Sequence, residues 1–286
     1  MKHYSIFVAA FAAMAMLASC NKESKDGPSV PGSVNEPAVS VVYSFPEGSG
    51  IVRSVEFSDG LYVARLDPAT RAGGATPVFV SGTYTYSKMD RTYTMQGFGS
   101  MSVDDMDDDG NAEVTLRITY EGVRTQSSSA TVTTTEAQDS DAGVCGAWSV
   151  RSTLVSASKG SLAASHQFDG CTPAAMVEYF SRKGFDMSAA ARVGDLALYA
   201  VEKVAFTPEG TFVICFGEAE PYVGVWSWKD SRNGLFSYDL TVSGKNGIIL
   251  ARKGQGSLKQ DGDNLLLAVS AYYGGMDLSA TLTLVR

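Results

Sequence analysis

The chain has 286 residues, a formal net charge of −8 at pH 7 and 44% hydrophobic residues. The acidic balance excludes nucleic-acid binding through a basic stripe, because neutralising phosphates requires clustered Lys and Arg. The length and the apolar content are sufficient to bury the core of one large β domain or of two ordinary domains.

The N-terminal residues predict export and membrane anchoring. Lys2 precedes an uncharged apolar run at 6–17, IFVAAFAAMAML, which is too short for a spanning helix and is typical of a signal peptide. The sequence LASC that ends at Cys20 resembles the lipobox of bacterial lipoproteins, whose cysteine carries acyl chains such as palmitate. The resemblance implies that residues 1–19 are removed and that Cys20 is lipidated, which anchors a protein stably once two chains are present. In the alternative interpretation, an ordinary signal peptide is followed by a stray cysteine.

The residues after the lipobox predict a tether. Residues 21–38, NKESKDGPSVPGSVNEPA, contain three prolines, two glycines and no aromatic residue. Such a composition buries too little apolar surface to fold, so we expect a lipidated, disordered segment at 20–38. Asn21 stands where many enterobacterial lipoproteins of the inner membrane carry aspartate, which favours the outer membrane. The charges that follow alternate in sign, and both the periplasmic and the cell-surface faces stay open.

From residue 39 to about residue 140, the sequence alternates with period two, as half-buried antiparallel strands do. The segment 113–121, EVTLRITYE, places Val114, Leu116 and Ile118 on one face. Clusters of Gly, Asn, Asp and Ser between such segments predict hairpin turns. We therefore predict a β-meander module over 39–140.

Within this module, the segment 104–113, DDMDDDGNAE, predicts either a calcium site or an acidic turn. The proposed ligands are Asp105, Asp107, Asp109, the backbone carbonyl of Asn111, and Glu113. Their spacing is similar to that of EF-hand and integrin-type calcium loops, in which a glycine allows the sharp turn. Leu116 stands where an EF-hand needs a bidentate glutamate, so a solvated hairpin turn is the alternative. If calcium binds, we expect it to stabilise a loop and to take no part in catalysis.

The polar segment 133–143, TTTEAQDSDAG, lacks an apolar period and predicts a domain boundary near residue 140. One later region departs from the strand pattern. Thr172 can cap a helix that has Pro173 in its first turn and that ends before Gly184. We predict this helix near 173–183 and a second, weaker helix from about 188 to 198.

Three cysteines follow the lipobox, at Cys145, Cys171 and Cys215. An odd number in an oxidising compartment allows at most one internal disulfide. We expect Cys145 and Cys171 to pair, which would join a first strand to the start of the predicted helix. Three buried thiols are the alternative.

The segments 81–88, SGTYTYSK, and 223–230, VGVWSWKD, repeat one pattern, a glycine followed by two aromatic residues at alternate positions and then a lysine. Their upstream neighbours also recur, with Phe57, Gly60 and Tyr62 corresponding to Phe206, Gly210 and Phe212. The repeat predicts an all-β fold of two antiparallel meander modules in tandem, the second over 141–286, with one helical insert. Chance similarity between two β-hairpins is the alternative.

The second half resembles a known family. The sequence GAW at 146–148 opens a strand as the Gly-x-Trp motif of lipocalins does, and a helix then leads to the Gly-x-Trp-x-Trp hairpin at 224–228. These motifs are similar to those of lipocalin-like lipoproteins of Bacteroidota, whose fold is a short up-and-down β-barrel. The resemblance implies that an arginine of a late strand packs under Trp148, and Arg286 and Arg151 are the candidates. Members of this family mostly have no assigned activity, so the resemblance implies a fold and a compartment.

We expect no catalytic role. His3 is removed with the signal peptide, and the remaining His166 lies in a polar segment where a lone histidine is usually solvated. One histidine does not make a zinc site without strong help from cysteines. The sequence contains neither a Gly-x-Ser-x-Gly nucleophile elbow nor a phosphate-binding loop.

The leading functional hypothesis is an outer-membrane lipoprotein that binds a small apolar molecule or a glycan in the cup of the second barrel. Phe212, Tyr222, Trp226 and Trp228 are predicted to line that cup, although aromatic residues at alternate positions of a barrel strand are often core residues. The first alternative is a structural or assembly component that binds another envelope protein, which an unprotected edge strand would favour. The second alternative is a hydrolase with two neighbouring carboxyl groups in a cleft.

Overall fold

The computed structural model describes residues 39–67, 78–120, 122–138, 141, 143–170, 172–187, 200–216, 219–241 and 253–286. The first eight strands are β1 (Val39–Ser44), β2 (Val52–Ser58), β3 (Leu61–Leu66), β4 (Val78–Ser87), β5 (Thr92–Met95), β6 (Gly99–Met106), β7 (Asn111–Ile118) and β8 (Arg124–Glu136). The remaining elements are β9 (Gly146–Lys159), β10 (Leu162–Phe168), helix α1 (Pro173–Arg182), β11 (Lys203–Phe206), β12 (Thr211–Phe216), β13 (Ala219–Asp230), β14 (Leu235–Thr241), β15 (Lys253–Asp261), β16 (Asn264–Tyr273) and β17 (Met276–Val285).

Strands β1 to β8 form a closed antiparallel barrel in which each strand pairs with the next. Pairing of β1 with β8, from Val39 opposite Glu136 to Ser44 opposite Thr131, closes the barrel. Exposed and buried residues alternate along β7, as the sequence of that segment predicts. The interior is aromatic, and the ring of Phe57 stacks on that of Tyr93 with their centroids 3.9 Å apart.

Strands β9 and β11 to β17 form a second closed antiparallel barrel, which β9 and β17 close. The long strand β9 pairs with two different strands along one of its edges. Its first residues, 146–149, pair with β11, and its later residues, 153–159, pair with β10. Strand β10 thus extends the barrel wall beyond β11. These two barrels confirm the predicted all-β fold with one short helical insert.

The repeated phrase occupies the fourth strand of each barrel, β4 in the first and β13 in the second. Its neighbours match as well, because Gly82 lies opposite Tyr62 and Gly224 lies opposite Phe212. A side chain at Gly224 would meet the backbone carbonyl oxygen of Asp239 at 2.0 Å, so the glycine allows the close approach of two strands. The repeat is therefore structural, and each copy builds the same three consecutive strands.

Helix α1 begins and ends as the sequence predicts. The hydroxyl of Thr172 accepts a hydrogen bond from the backbone N–H of Ala175 at 3.3 Å, Pro173 lies in the first turn, and Gly184 follows the helix with a φ of +92°. Its buried residue Phe180 packs in one cluster with Leu278 of β17. The second predicted helix lies outside the described residues. In the described part of the chain, no helix has the length and apolar character needed to cross a membrane.

Candidate functional site

The two barrels meet through equivalent strands. Strand β4, which carries the first copy of the repeated phrase, contacts β13, which carries the second. The apolar half of this interface is formed by Leu61, Val63 and Phe79 of the first barrel and by Ala147, Ala205, Val213, Cys215 and Val223 of the second. These side chains lie on the outer faces of their strands, and each barrel keeps a separate core inside.

The polar half of the interface is centred on Glu56 of β2, whose side chain is buried with a relative exposure of 7%. Its carboxyl accepts hydrogen bonds from the hydroxyl of Ser40 at 2.9 Å and from that of Thr211, in the second barrel, at 2.5 Å. The hydroxyl of Thr207 is a further hydrogen-bond partner. Burial away from water raises the pKa of Glu56, and the nearby carboxylate of Glu209 raises it further.

Two acidic residues make reciprocal contacts across the interface. Asp59 and Glu209 each precede the glycine of the hairpin between the second and third strands of their own barrel. The carboxylate of Asp59 accepts a hydrogen bond from the backbone N–H of Ala147 at 3.2 Å, and that of Glu209 accepts one from the hydroxyl of Thr135. The repeat has therefore placed an acidic residue at the equivalent hairpin position of each barrel, although one accepts from a backbone N–H group and the other from a hydroxyl.

The connecting segment closes one end of the second barrel. Val144 and Cys145 are buried in the barrel core, and the carbonyl of Val144 accepts a hydrogen bond from the indole N–H of Trp148 at 2.8 Å. The guanidinium of Arg286 lies over the Trp148 ring and donates to the carbonyl of Cys145. The predicted boundary near residue 140 falls between the last strand of the first barrel and the first strand of the second, and the described residues Ala137 and Asp141 on either side of it contact the second barrel.

The structure packs the predicted ligand-lining aromatics into the core. Phe212 and Tyr222 are 2% exposed, Trp226 is 7% exposed, and Trp228 packs against the same cluster. The indole N–H of Trp226 donates to the carbonyl of Thr207 at 3.1 Å. These side chains fill the barrel where the sequence predicts the wall of an open cup, and the indole N–H groups of Trp226 and Trp228 both have acceptors within the protein. The alternation that suggested a cup is also the pattern of a packed barrel interior.

The predicted calcium segment forms the tight turn between β6 and β7. A carboxylate oxygen of Asp107 accepts hydrogen bonds from the backbone N–H groups of Asp109 and Asn111, at 3.1 and 2.7 Å. The side chain of Asn111 accepts from the hydroxyl of Thr131, and Glu113 is exposed on β7. Among the described side chains, no group of three His, Cys, Asp or Glu residues is placed to hold a metal ion, and the side chain of Asp105 is outside that set. Calcium binding stays a prediction.

The remaining sequence predictions concern single residues. Cys145 is a buried free thiol whose pKa burial raises to about 12, and Cys215 is a partly buried free thiol in the barrel interface. Cys171 and Cys20 lie outside the described residues, so the disulfide and the lipidation stay predictions. His166 is exposed, and its ring stacks on that of Tyr179 at 4.3 Å.

The sequence did not point to a cleft on the outer surface of the second barrel. The cleft has a volume of about 470 Å³, and small side chains of β9, β10, β16 and β17 surround it. Its lining residues are Ser156, Ala157, Ser158, Ala163, Ala164, Ser165, Ser270, Asp277, Leu278 and Ser279. Among the described strands, β10 at the rim of this cleft pairs with β9 alone.

Comparisons with known proteins give the fold little context. No family model and no curated protein matches the chain. Among solved structures, the chain is similar to a crystal structure of a protein of unknown function from the DUF3598 family of Nostoc punctiforme. The identity is 10%, the TM-score is 0.24, and the match covers 88% of this chain and 96% of that chain. A likeness at this level supports no inference about function. The two eight-stranded antiparallel barrels themselves fit a calycin-like fold.

Proposed function

We propose that the protein is a non-catalytic binding component of the bacterial envelope, and that it holds an extended segment of another envelope protein along strand β10. The lipobox-like sequence at Cys20 and the tether up to residue 38 support a display role, because they would place the two barrels at the end of a membrane anchor on the outer membrane. The interiors of both barrels are packed with aromatic side chains, which moves the binding surface to the outside.

The edge of β10 is the observation that carries this proposal. All seven residues of β10, from Leu162 to Phe168, pair with β9, and the opposite edge faces no described strand. Such an edge presents N–H and C=O groups that suit an added strand. Its sequence, LAASHQF, contains neither the Lys, Asp or Glu nor the Pro that commonly protects edge strands.

The cleft beside β10 would give such a partner its specificity. Ala163 and Ser165 are exposed on β10, and the serines of β9 and β17 continue the same surface. Since alternate residues of an added strand point to the same face, every second side chain of the partner would lie against this cleft. Asp277 is the charged residue of the lining, so the partner segment would be mostly uncharged with at most one basic side chain there.

Hydrogen exchange on the isolated full-length chain tests the edge before any partner is known. An antiparallel strand that is paired on one side bonds alternate N–H groups, so we expect fast and slow amides to alternate along β10. Strand β14 pairs with both β13 and β15 over residues 235–239, so it is the internal control and should be protected at each of these residues. Protection of every amide in β10 would mean that the chain covers this edge itself, and the proposal would fail.

Site-specific photo-crosslinking in cells identifies the partner. We expect a crosslinker at position 165 to capture one envelope protein, whereas a crosslinker at position 237 on β14 should not capture it. The double substitution Ala163→Lys and Gln167→Lys, at exposed positions on either side of the crosslinker, adds the charges that protect natural edges, and it should abolish the adduct without unfolding the barrel. Equal capture at both positions would contradict a specific site.

A small apolar molecule or a glycan is the second candidate, and the volume of the cleft favours it. About 470 Å³ falls within the range of ligand sites in proteins. Native mass spectrometry of the periplasmic protein, followed by denaturation, would release such a ligand as a discrete mass. Ser279→Phe, which fills the cleft from β17 and leaves the edge of β10 intact, should then remove the small ligand, whereas a partner paired with the edge should lose only its side-chain contacts in the cleft and should still be crosslinked.

A further inference from the structure

The polar half of the barrel interface holds a buried carboxyl that has only neutral hydrogen-bond donors among its named partners. Ser40 donates from the first barrel, and Thr207 and Thr211 face Glu56 from the second. Hydroxyl groups can donate to a carboxylate or accept from a carboxylic acid, so they accommodate both protonation states. They do not supply the positive charge that normally offsets burial of an ionised carboxylate.

The charged and titratable groups around Glu56 favour its neutral form. Glu209, on the hairpin between β11 and β12, places a second carboxylate nearby. Cys145, in the connecting segment, is coupled electrostatically to Glu56, but burial keeps its thiol protonated at neutral pH. At the same end of the second barrel, the carboxylate of Asp59 accepts a hydrogen bond from the N–H of Ala147. The guanidinium of Arg286 lies over the ring of Trp148 and donates to the carbonyl of Cys145.

Separation of the barrels would change the surroundings of Glu56 more than those of an ordinary surface carboxyl. Thr211 belongs to the second barrel, and the hairpin that carries Thr207 and Glu209 covers Glu56 only in the docked arrangement. Undocking therefore returns the carboxyl to water. A group whose affinity for a proton differs between two states links protonation to the equilibrium between those states.

We propose that Glu56 is a proton-operated latch between the two barrels, which dock most tightly when Glu56 is protonated and more loosely once it is ionised. Burial raises the pKa of Glu56 in the docked state. The contribution of the protonated Glu56 to the free energy of docking is therefore complete at low pH and is lost as pH rises through that raised value. For each unit by which docking raises the pKa, the docking equilibrium changes about tenfold between the two limits.

Cys215 provides an internal reporter of docking, because it lies partly buried in the apolar half of the same interface. The test compares the rate at which iodoacetamide alkylates Cys215 in the full-length wild type and in Glu56→Gln, with the modified peptide identified by mass spectrometry. Glutamine mimics the protonated carboxyl at every pH. Taking the ratio of the two rates at each pH cancels the ordinary increase in thiolate concentration.

We expect the alkylation rate of the wild type divided by that of Glu56→Gln to be near one at pH 5 and to rise several-fold by pH 9. Glu178→Gln, on the exposed surface of α1, is the control and should follow the wild type. A ratio that stays flat, or a wild type that reacts more slowly at high pH, would overturn the proposal.

Hydrogen exchange at Ala147 gives an independent reading on the wild-type chain alone. This amide bonds to Asp59 across the interface, so its protection reports docking directly. After correction for the intrinsic exchange rate, protection should fall between pH 5 and pH 9. Constant protection over that range would contradict the latch even if the glutamine variant did not fold.

Discussion

Arg286, the last residue of the chain, lies over the indole ring of Trp148, with its guanidinium carbon 4.6 Å from the ring centroid. Its Nη2 atom also donates to the carbonyl of Cys145 at 3.0 Å. These contacts connect the C-terminus, the connecting segment and the first strand of the second barrel. The resemblance to lipocalins implied such an arginine and left two candidates, and the structure places Arg286 there. Arg151, the other candidate, is exposed on β9.

Arg286→Ala should lower the free energy of unfolding of the second barrel by about 1–2 kcal/mol, because it removes a cation–π contact and a hydrogen bond to a buried carbonyl. Arg151→Ala is the matched control and should change it by less than about 0.5 kcal/mol. Chemical denaturation followed by tryptophan fluorescence measures both. Equal effects of the two substitutions would show that the Arg286 contact contributes nothing specific.

Trp226→Ala should lower the free energy of unfolding by about 3–5 kcal/mol, since Trp226 packs edge-to-face on Phe206 and removing its ring leaves a cavity in the core. Val225→Ala, at the adjacent exposed position, should leave the free energy of unfolding nearly unchanged. Denaturant unfolding again provides the measurement. A stable Trp226→Ala protein would return this residue to the predicted role of lining an open cup.

The period-two pattern predicted most of this fold, because burial alternates along strands whether or not the partner strand is known. The repeat at 81–88 and 223–230 predicted two equivalent β modules for the same reason, since equivalent strands of a duplicated unit need equivalent glycines and aromatics, and the resemblance to lipocalin-like proteins implied that such modules are barrels. Thr172, Pro173 and Gly184 located the helix through the chemistry of its ends. These signals are all local in sequence.

What the sequence could not predict depends on contacts between distant residues. Glu56 has the sequence context of an outward-facing polar residue on a half-buried strand, and only docking of the second barrel buries it. The period of β13 distinguishes its inner face from its outer face but does not say whether that inner face is filled. Similarly, the cleft beside β10 is formed where the hairpin of β9 and β10 meets the hairpin of β16 and β17, and these two hairpins are far apart in the chain.

Tyr43 predicts a weakening of the first barrel at alkaline pH. Burial raises its pKa to about 12, whereas an unfolded tyrosine titrates near 10. The contribution of the protonated Tyr43 to the free energy of unfolding is therefore complete below about pH 10. It falls by about 1.4 kcal/mol per pH unit from there towards pH 12. Tyr43→Phe should make the fall in the free energy of unfolding with pH less steep by up to about 1.4 kcal/mol per pH unit, which corresponds to one proton. Tyr272→Phe, at a residue that is 74% exposed, should leave the slope unchanged. Denaturation at a series of alkaline pH values measures the slope, and parallel slopes in all three proteins would contradict the assignment.

Asp107 predicts how the acidic turn is stabilised. One carboxylate oxygen of Asp107 accepts hydrogen bonds from two backbone N–H groups of the turn. Asp107→Ala should therefore lower the free energy of unfolding by about 1 kcal/mol, because the turn loses these bonds. Asp109→Ala, at the exposed tip, should cost less than about 0.5 kcal/mol. We expect the same two losses in EDTA and in millimolar calcium, measured by thermal unfolding. A stabilisation of the wild type by calcium that either substitution removes would instead establish the calcium site predicted at Asp105 to Glu113.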